Sequence, residues 1–78
     1  MDVSELLAYL AEGLVDDPES VTVDRFEERG ATVLELAVGS DDYGKVIGRG
    51  GRTAQALRRV IKAAGAIAGQ RVLVDIVD

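Results

Sequence analysis

Four glycines fall within eight residues, Gly44-Lys45-Val46-Ile47-Gly48-Arg49-Gly50-Gly51, and the sequence on both sides of the last three reads as helix. Glycine loses more backbone freedom on ordering than any other residue, so a cluster of this density needs a reason: positive φ, or the close approach of another backbone. The apolar pair Val46-Ile47 predicts a short helix anchored in the core, followed by a sharp turn from Gly48 to Gly51 and a second helix from about Gly51. In that second helix Ala54, Leu57, Val60, Ile61, Ala64 and Ile67 recur at helical spacing, and Arg52, Gln55, Arg58, Arg59 and Lys62 fall on the other face. Backbone N–H groups at its start carry partial positive charge and point outward. With Arg49 and Arg52 beside them, they make a site for phosphate.

Three loop types compete for this stretch. Gly39-Ser40-Asp41-Asp42-Tyr43-Gly44-Lys45 has the spacing of a nucleotide-binding P-loop after a strand, but Val46 stands where a Ser or Thr must hold magnesium, and Asp41-Asp42 would crowd the phosphates. A dinucleotide fingerprint starting at Gly48-Arg49-Gly50 puts its third glycine at Thr53, and the loop joins helix to helix rather than strand to helix. A Gly-x-x-Gly turn between two helices, the kind that clamps a nucleotide backbone, fits both the spacing and its surroundings.

The rest of the chain frames the loop. Val3, Leu6, Leu7, Leu10 and Leu14 predict an amphipathic helix over about residues 3–14, opened by Asp2 and Glu5 as a capping box and stopped near Gly13 and Pro18. Its polar face carries Glu5 and Glu12, the wrong sign for anionic lipid. Residues 20–27 and 31–38 are β-branched and roughly alternating, which predicts two strands joined by a turn at Glu28-Arg29-Gly30, with a bulge near Arg25 and Phe26 where the alternation slips. Gly65 is a weak spot in the long helix and Gly69 its terminator. Val72 to Val77 closes the chain as a mostly apolar strand. The order α-β-β-α-α-β predicts an α+β domain over residues 1–78, with a mixed three-stranded sheet covered by helices on one face.

Composition narrows function further. At 78 residues only roughly 60% of the unfolded surface can be buried, so the core is thin. The sequence has no cysteine and no histidine, which removes disulfides, thiolate or imidazole metal ligands, and Cys or His nucleophile and base chemistry. No cofactor or metal is expected. The adjacent carboxylates Asp16-Asp17 and Asp41-Asp42 suit capping and solubility better than acid-base work, so no catalytic residue is assigned. No apolar run reaches the roughly 20 residues of a membrane span, and the acidic start does not look like a secretory signal, which points to the cytoplasm.

The formal net charge of −5 hides a division. Residues 1–42 hold twelve of the fourteen carboxylates against Arg25 and Arg29, whereas residues 43–71 hold seven cations and no acid. That asymmetry is the footprint of a local anion-binding surface, or of a helix of one sign packed on an element of the other.

Val46-Ile47-Gly48-Arg49-Gly50-Gly51-Arg52-Thr53 resembles the KH signature, and the wider run to Ala54-Gln55-Ala56-Leu57-Arg58 looks like the small bacterial single-KH proteins of the KhpA family. The resemblance covers nearly the whole chain, and α-β-β-α-α-β is the order of the type II KH fold. Ala54 departs from the general KH pattern, which has a larger aliphatic there, but is common in the small bacterial family. The resemblance implies an RNA-binding protein that takes single-stranded RNA with limited sequence selectivity and acts in RNA regulation or chaperoning. It also implies pairing, as a homodimer or with a Jag-like KH protein (KhpB), and a link in some bacteria to cell elongation and division.

The expected RNA-binding residues are Lys45, Val46, Ile47, Gly48, Arg49, Gly50, Gly51, Arg52 and Thr53. Gly48 and Gly51 would let the RNA backbone approach, Arg49 and Gly50 are the variable pair of the turn, and the Arg49 guanidinium is the phosphate contact. Lys45 and Arg52 add longer-range attraction. Val46, Ile47 and Leu57 either floor an apolar groove beside the second strand or belong to the core. Arg58, Arg59 and Lys62 read as a solvated helix face. Ala63, Ala64, Ala66, Ala68 and Ile67 offer a close-packed partner surface, or simply reflect helix propensity.

Overall fold

The computed structural model describes residues 1–78 and strings them as α1 (Val3–Glu12), β1 (Thr22–Glu28), β2 (Ala31–Ala37), α2 (Tyr43–Ile47), α3 (Arg52–Ile67) and β3 (Val72–Val77), with single 3₁₀ turns at Pro18–Ser20, Ser40–Asp42 and Arg49–Gly51. Strand β2 is central. It pairs antiparallel with β1 and parallel with β3, the pairing that a hairpin followed by a helical crossover requires. This is the α+β, three-stranded mixed sheet expected of a KH domain.

One sheet face carries all three helices. Leu34 and Leu36 of β2 share a face with Val72 and Ile76 of β3, and they pack against Val3, Leu7 and Ala11 of α1, Val46 of α2, and Ala54, Leu57 and Ile61 of α3. Leu7, Leu34, Leu36, Val46 and Ile61 are fully buried, each contributing on the order of 1.5–3 kcal/mol. The buried stripe of α3 is Ala54, Leu57, Ile61 and Gly65. Val60 and Ile67, which belong to the apolar periodicity, stand outside it at 47% and 90% exposed.

The differences from expectation are local. Helix α1 ends at Glu12, and Leu14 lies beyond it, exposed. Strand β1 has no bulge: its register with β2 runs unbroken from Thr22 opposite Ala37 to Glu28 opposite Ala31. Its alternation slips because β1 is an edge strand with nearly every residue exposed, so no buried face enforces a period of two. The hairpin turn has positive φ at both Arg29 (52°) and Gly30 (79°), as a two-residue turn matched to strand twist requires. Gly65 is a contact rather than a weak spot, because a Cβ there would sit 2.5 Å from Cγ2 of Val72 and 3.2 Å from the Gln70 carbonyl oxygen. Helix α3 stops as foreseen, with Gly69 at φ 73° while Gln70 donates its N–H to the Gly65 carbonyl and Gly69 donates to Ala66.

Candidate nucleic-acid interface

The glycine turn connects α2 to α3 almost without intervening chain. Gly48 closes α2 with its N–H donated to the Gly44 carbonyl at 2.9 Å, then leaves it at φ 77° and ψ 172°. Gly50 (φ 63°, ψ 18°) and Gly51 (φ 77°, ψ 12°) are left-handed. The N–H groups of Gly51 and Arg52 are used within the turn, by the carbonyls of Gly48 and Arg49. Those of Arg49 and Gly50 have no acceptor in the chain, and both residues are exposed. Two free donors beside an unpaired guanidinium give the tip of the turn the chemistry that binding an anion requires.

The three glycines of the turn have different reasons. A Cβ on Gly48 would collide with the Thr53 side chain and lie 2.9 Å from the Thr53 nitrogen, so Gly48 serves internal packing. Around Gly50 and Gly51 an added Cβ would meet nothing within 4 Å, which leaves the outer side of the turn open to an incoming backbone.

The nine expected residues separate accordingly. Gly48, Arg49, Gly50, Gly51 and Arg52 form the turn, with Arg49, Gly50 and Arg52 exposed. Thr53 is half-buried beneath it, packed toward Gly48. Val46 has no surface to offer, being wholly buried in the core, and Ile47 packs against the same core. Leu57 is core as well.

Lys45 is already engaged. Its ammonium nitrogen lies 3.1 Å from Oδ1 of Asp42 and 3.2 Å from Oδ2 of Asp16. Asp42 is itself buried, and its two oxygens also accept the backbone N–H groups of Asp16 at 3.2 Å and Asp17 at 3.1 Å. This carboxylate therefore ties the loop after α1 to the start of the short helix that presents the turn. Adjacent acids read as solubility and capping in the sequence include one structural anchor.

The Asp16 N–H bond, together with Lys45 and the Asp17 N–H, holds the Asp42 carboxyl below its ordinary 3.8 against the opposing effect of burial. Its hydrogen bonds to Asp42 and Asp16 raise the Lys45 ammonium above 10.5. The signs fix the outcome. The Asp42 contribution is present above the unfolded carboxylate value and is lost as pH falls through the lowered folded value. The Lys45 contribution is present below its unfolded value and is lost as pH rises through the raised one. With no histidine in the chain, the thermal midpoint should be level from about pH 5 to about pH 9 and fall outside those limits. Asp42→Asn should lower the plateau and flatten the acid limb; circular dichroism melts across pH measure both.

A groove lies between α3 and β3. Gln55, Arg58, Arg59 and Lys62 form one wall, and Val72, Leu73 and Val74 of β3 form the other. Arg52, at the start of α3, lies one helical turn before Gln55, so the cations of the helix begin beside the glycine turn. None of Arg49, Arg52, Arg58, Arg59 and Lys62 pairs with a carboxylate. The groove lies beside the third strand, not the second, because both edges of β2 are paired. The Thr32 N–H donates to the Arg71 carbonyl at 2.8 Å, so in this parallel pairing alternate residues Val72, Val74 and Ile76 turn their N–H and C=O groups to the free edge. The Arg58 Nε reaches across to the Val74 carbonyl at 3.5 Å. Sequence reasoning placed Arg58, Arg59 and Lys62 on a solvated face. The available signal was their position on the helix entering β3, which a parallel crossover returns alongside.

Comparison with known proteins supports the same identification. The family model for the KhpA/KhpB KH domain matches residues 4–76. The chain is 51% identical to the RNA-binding protein KhpA of Streptomyces coelicolor over 97% of its own length and 92% of that protein. It is 45% identical to the RNA-binding protein KhpA of Treponema pallidum, over 95% of this chain and 92% of that one. Against KhpA of Mycobacterium tuberculosis it is 45% identical over 97% and 91%. Among solved structures, Aquifex aeolicus Era bound to GDP and aluminium fluoride superposes with a TM-score of 0.65 at 19% identity, covering 95% of this chain but 29% of Era. Era in complex with MgGDPNP and nucleotides 1506–1542 of 16S ribosomal RNA gives the same TM-score of 0.65, with the chain spanning 28% of it. At that identity the Era likeness concerns the fold alone. No helix is long and apolar enough to cross a membrane. On sequence, fold and the helix–glycine turn–helix at its centre, the chain belongs to the KhpA/KhpB family of KH domains, whose curated relatives here are RNA-binding proteins.

Proposed function

We propose that the chain is one KH domain over residues 1–78 that clamps single-stranded RNA in the cytoplasm, seating a phosphate on the glycine turn and the following bases in the groove between α3 and β3. The observation that carries this reading is the tip of the turn: free N–H groups on Arg49 and Gly50, open space outside Gly50 and Gly51, and a line of unpaired cations leading away from it. The groove wall has no aromatic residue, so backbone charge rather than stacking supplies most of the affinity. Three or four neutralised phosphates give a slope of roughly −2 to −3 for log affinity against log salt, at about −0.7 each for a single strand. Fluorescence anisotropy of an unstructured RNA oligomer across salt concentrations measures it, and a flat line would remove the electrostatic clamp.

A second reading, a pairing module, rests on a separate surface. Leu10, Leu14, Thr53, Ala56, Leu57 and Val60 line an apolar depression between α1 and α3, and the same two helices expose Tyr9 (65%) and Ile67 (90%). Burial of that surface against a second copy or a Jag-like KH partner (KhpB) is compatible with RNA binding, because the glycine turn and the β3 groove stay outside it. Two clamps on one RNA raise avidity, which compensates a lone acidic copy for its small footprint. Light scattering should give the mass of a dimer, and a Val60→Glu variant should give that of a monomer; a parent protein monomeric at all concentrations rules out homodimerisation.

A further inference from the structure

The chain has 9 cationic side chains, and two of them are paired: Arg25 with Asp2 and Glu27, Lys45 with Asp42 and Asp16. Five of the rest follow the glycine turn and α3. The remaining two, Arg29 and Arg71, are far apart in the sequence yet line one depression with Glu28, Ala31 and Leu73. The sheet brings them together. Glu28 lies opposite Ala31 across the hairpin, and the Thr32 N–H, bonded to the Arg71 carbonyl at 2.8 Å, fixes Arg71 on the other side of Ala31. Both guanidiniums are exposed, and neither forms an ion pair with Glu28.

Arg29 holds its place against a backbone preference. It is the one non-glycine residue of the chain at positive φ, 52°, in a two-residue turn that favours Asn, Asp or Gly. Arginine gives the turn nothing that asparagine would not give better, so its use lies in the side chain. The depression also adjoins the groove between α3 and β3, since Leu73 walls both. Along β3, Arg58 reaches Val74, and Gly65, further along α3, packs on Val72. Away from the glycine turn, the groove therefore ends where Arg71 begins.

We infer that Arg29 and Arg71 form a second phosphate subsite, which takes the backbone of the RNA strand after it leaves the groove. The inference rests on the RNA-clamp reading and deepens it, extending the footprint past the four or so nucleotides that a glycine-turn clamp holds. Guanidinium forks match the paired oxygens of a phosphodiester, and no base is read here. The contacts are exposed, so each adds little and the two act together. Glu28 on the same rim repels the incoming phosphate and weakens the subsite.

The test compares U4 with U10 RNA by anisotropy across salt, for the parent, the double variant Arg29→Asn with Arg71→Gln, and Glu28→Gln. Asparagine suits the turn, so the double variant should melt no earlier than the parent. It should bind U10 about 5-fold more weakly and U4 within about 2-fold of the parent. The parent's log–log salt slope should be steeper for U10 than for U4 by about 1, and the double variant should lose that difference. Glu28→Gln, which leaves both arginines in place, should bind U10 about 2-fold more tightly and U4 unchanged. Unchanged U10 affinity in both variants, or equal losses on U4 and U10, would overturn the subsite and leave the clamp intact. Failure of the parent to bind either oligomer would bring down the clamp as well.

Discussion

Replacement of Arg49 and Gly50 together by aspartate should lower RNA affinity by about 100-fold or more and leave the thermal midpoint within about 3 °C of the parent. The first half follows from what the turn offers. The pair removes a guanidinium that has no protein partner and places two carboxylates beside the only backbone donors of the turn left free. Loss of one charge-assisted hydrogen bond costs about 1.5–3 kcal/mol, and two like charges near a phosphate add about 1 kcal/mol each even at the dielectric of bulk water. The second half follows from the backbone. Gly50 sits at φ 63° and ψ 18°, a left-handed conformation that aspartate adopts more readily than most residues, and a Cβ there meets no atom within 4 Å. The Arg49 side chain is exposed and makes no ion pair with a carboxylate. Unchanged affinity in the double variant would move RNA elsewhere on the molecule, and early melting would make the turn a structural device.

The elements of the fold were legible in the sequence because each has its own periodicity and its own stop. Val3, Leu6, Leu7 and Leu10 mark α1, Ala54, Leu57 and Ile61 mark α3, and Gly30 and Gly69 punctuate them. Legibility failed where a residue's surroundings come from a distant part of the chain. Val60 and Ile67 follow the helical period of α3 yet stand exposed, since the sheet is only three strands wide and leaves the outer side of the helix uncovered. Lys45 read as a free cation near the turn, but Asp16, 29 positions earlier, reaches it through the loop after α1. Asp42 read as a solubilising acid and is a buried anchor for that same loop. The basic groove was invisible for the same reason: its α3 wall is local, but its β3 wall is placed by the crossover. What the sequence did locate, the glycine turn with Arg49 and Arg52, is wholly local, its geometry written in four consecutive residues. The net charge of −5 is no obstacle to an RNA site once the cations are seen gathered along one helix and its preceding turn.

The glycines of that turn should respond to alanine in opposite ways, although sequence reasoning gave Gly48 and Gly51 a single purpose. Gly48 lies at φ 77° and ψ 172°, a region essentially confined to glycine, and its added Cβ would press into Thr53 from the side chain to the backbone nitrogen. Thr53 cannot yield freely, because it occupies the first turn of α3, directly before the buried Ala54. Strain of about 1–3 kcal/mol together with overpacking of similar size should lower the thermal midpoint of Gly48→Ala by about 15 °C in a domain this small. Gly51 lies at φ 77° and ψ 12°, where alanine costs only about 1 kcal/mol, with open space outside it, so Gly51→Ala should melt within about 5–8 °C of the parent. Its methyl group stands where the proposed clamp brings the RNA backbone, and on that proposal its affinity for single-stranded RNA should fall although the fold holds. Melting and anisotropy on the two variants separate the roles: Gly48 makes the turn possible, and Gly51 keeps its outer side clear. Equal melting temperatures for the two would show that Thr53 gives way, and undiminished RNA affinity in folded Gly51→Ala would place the bound backbone on the Arg49 side of the turn.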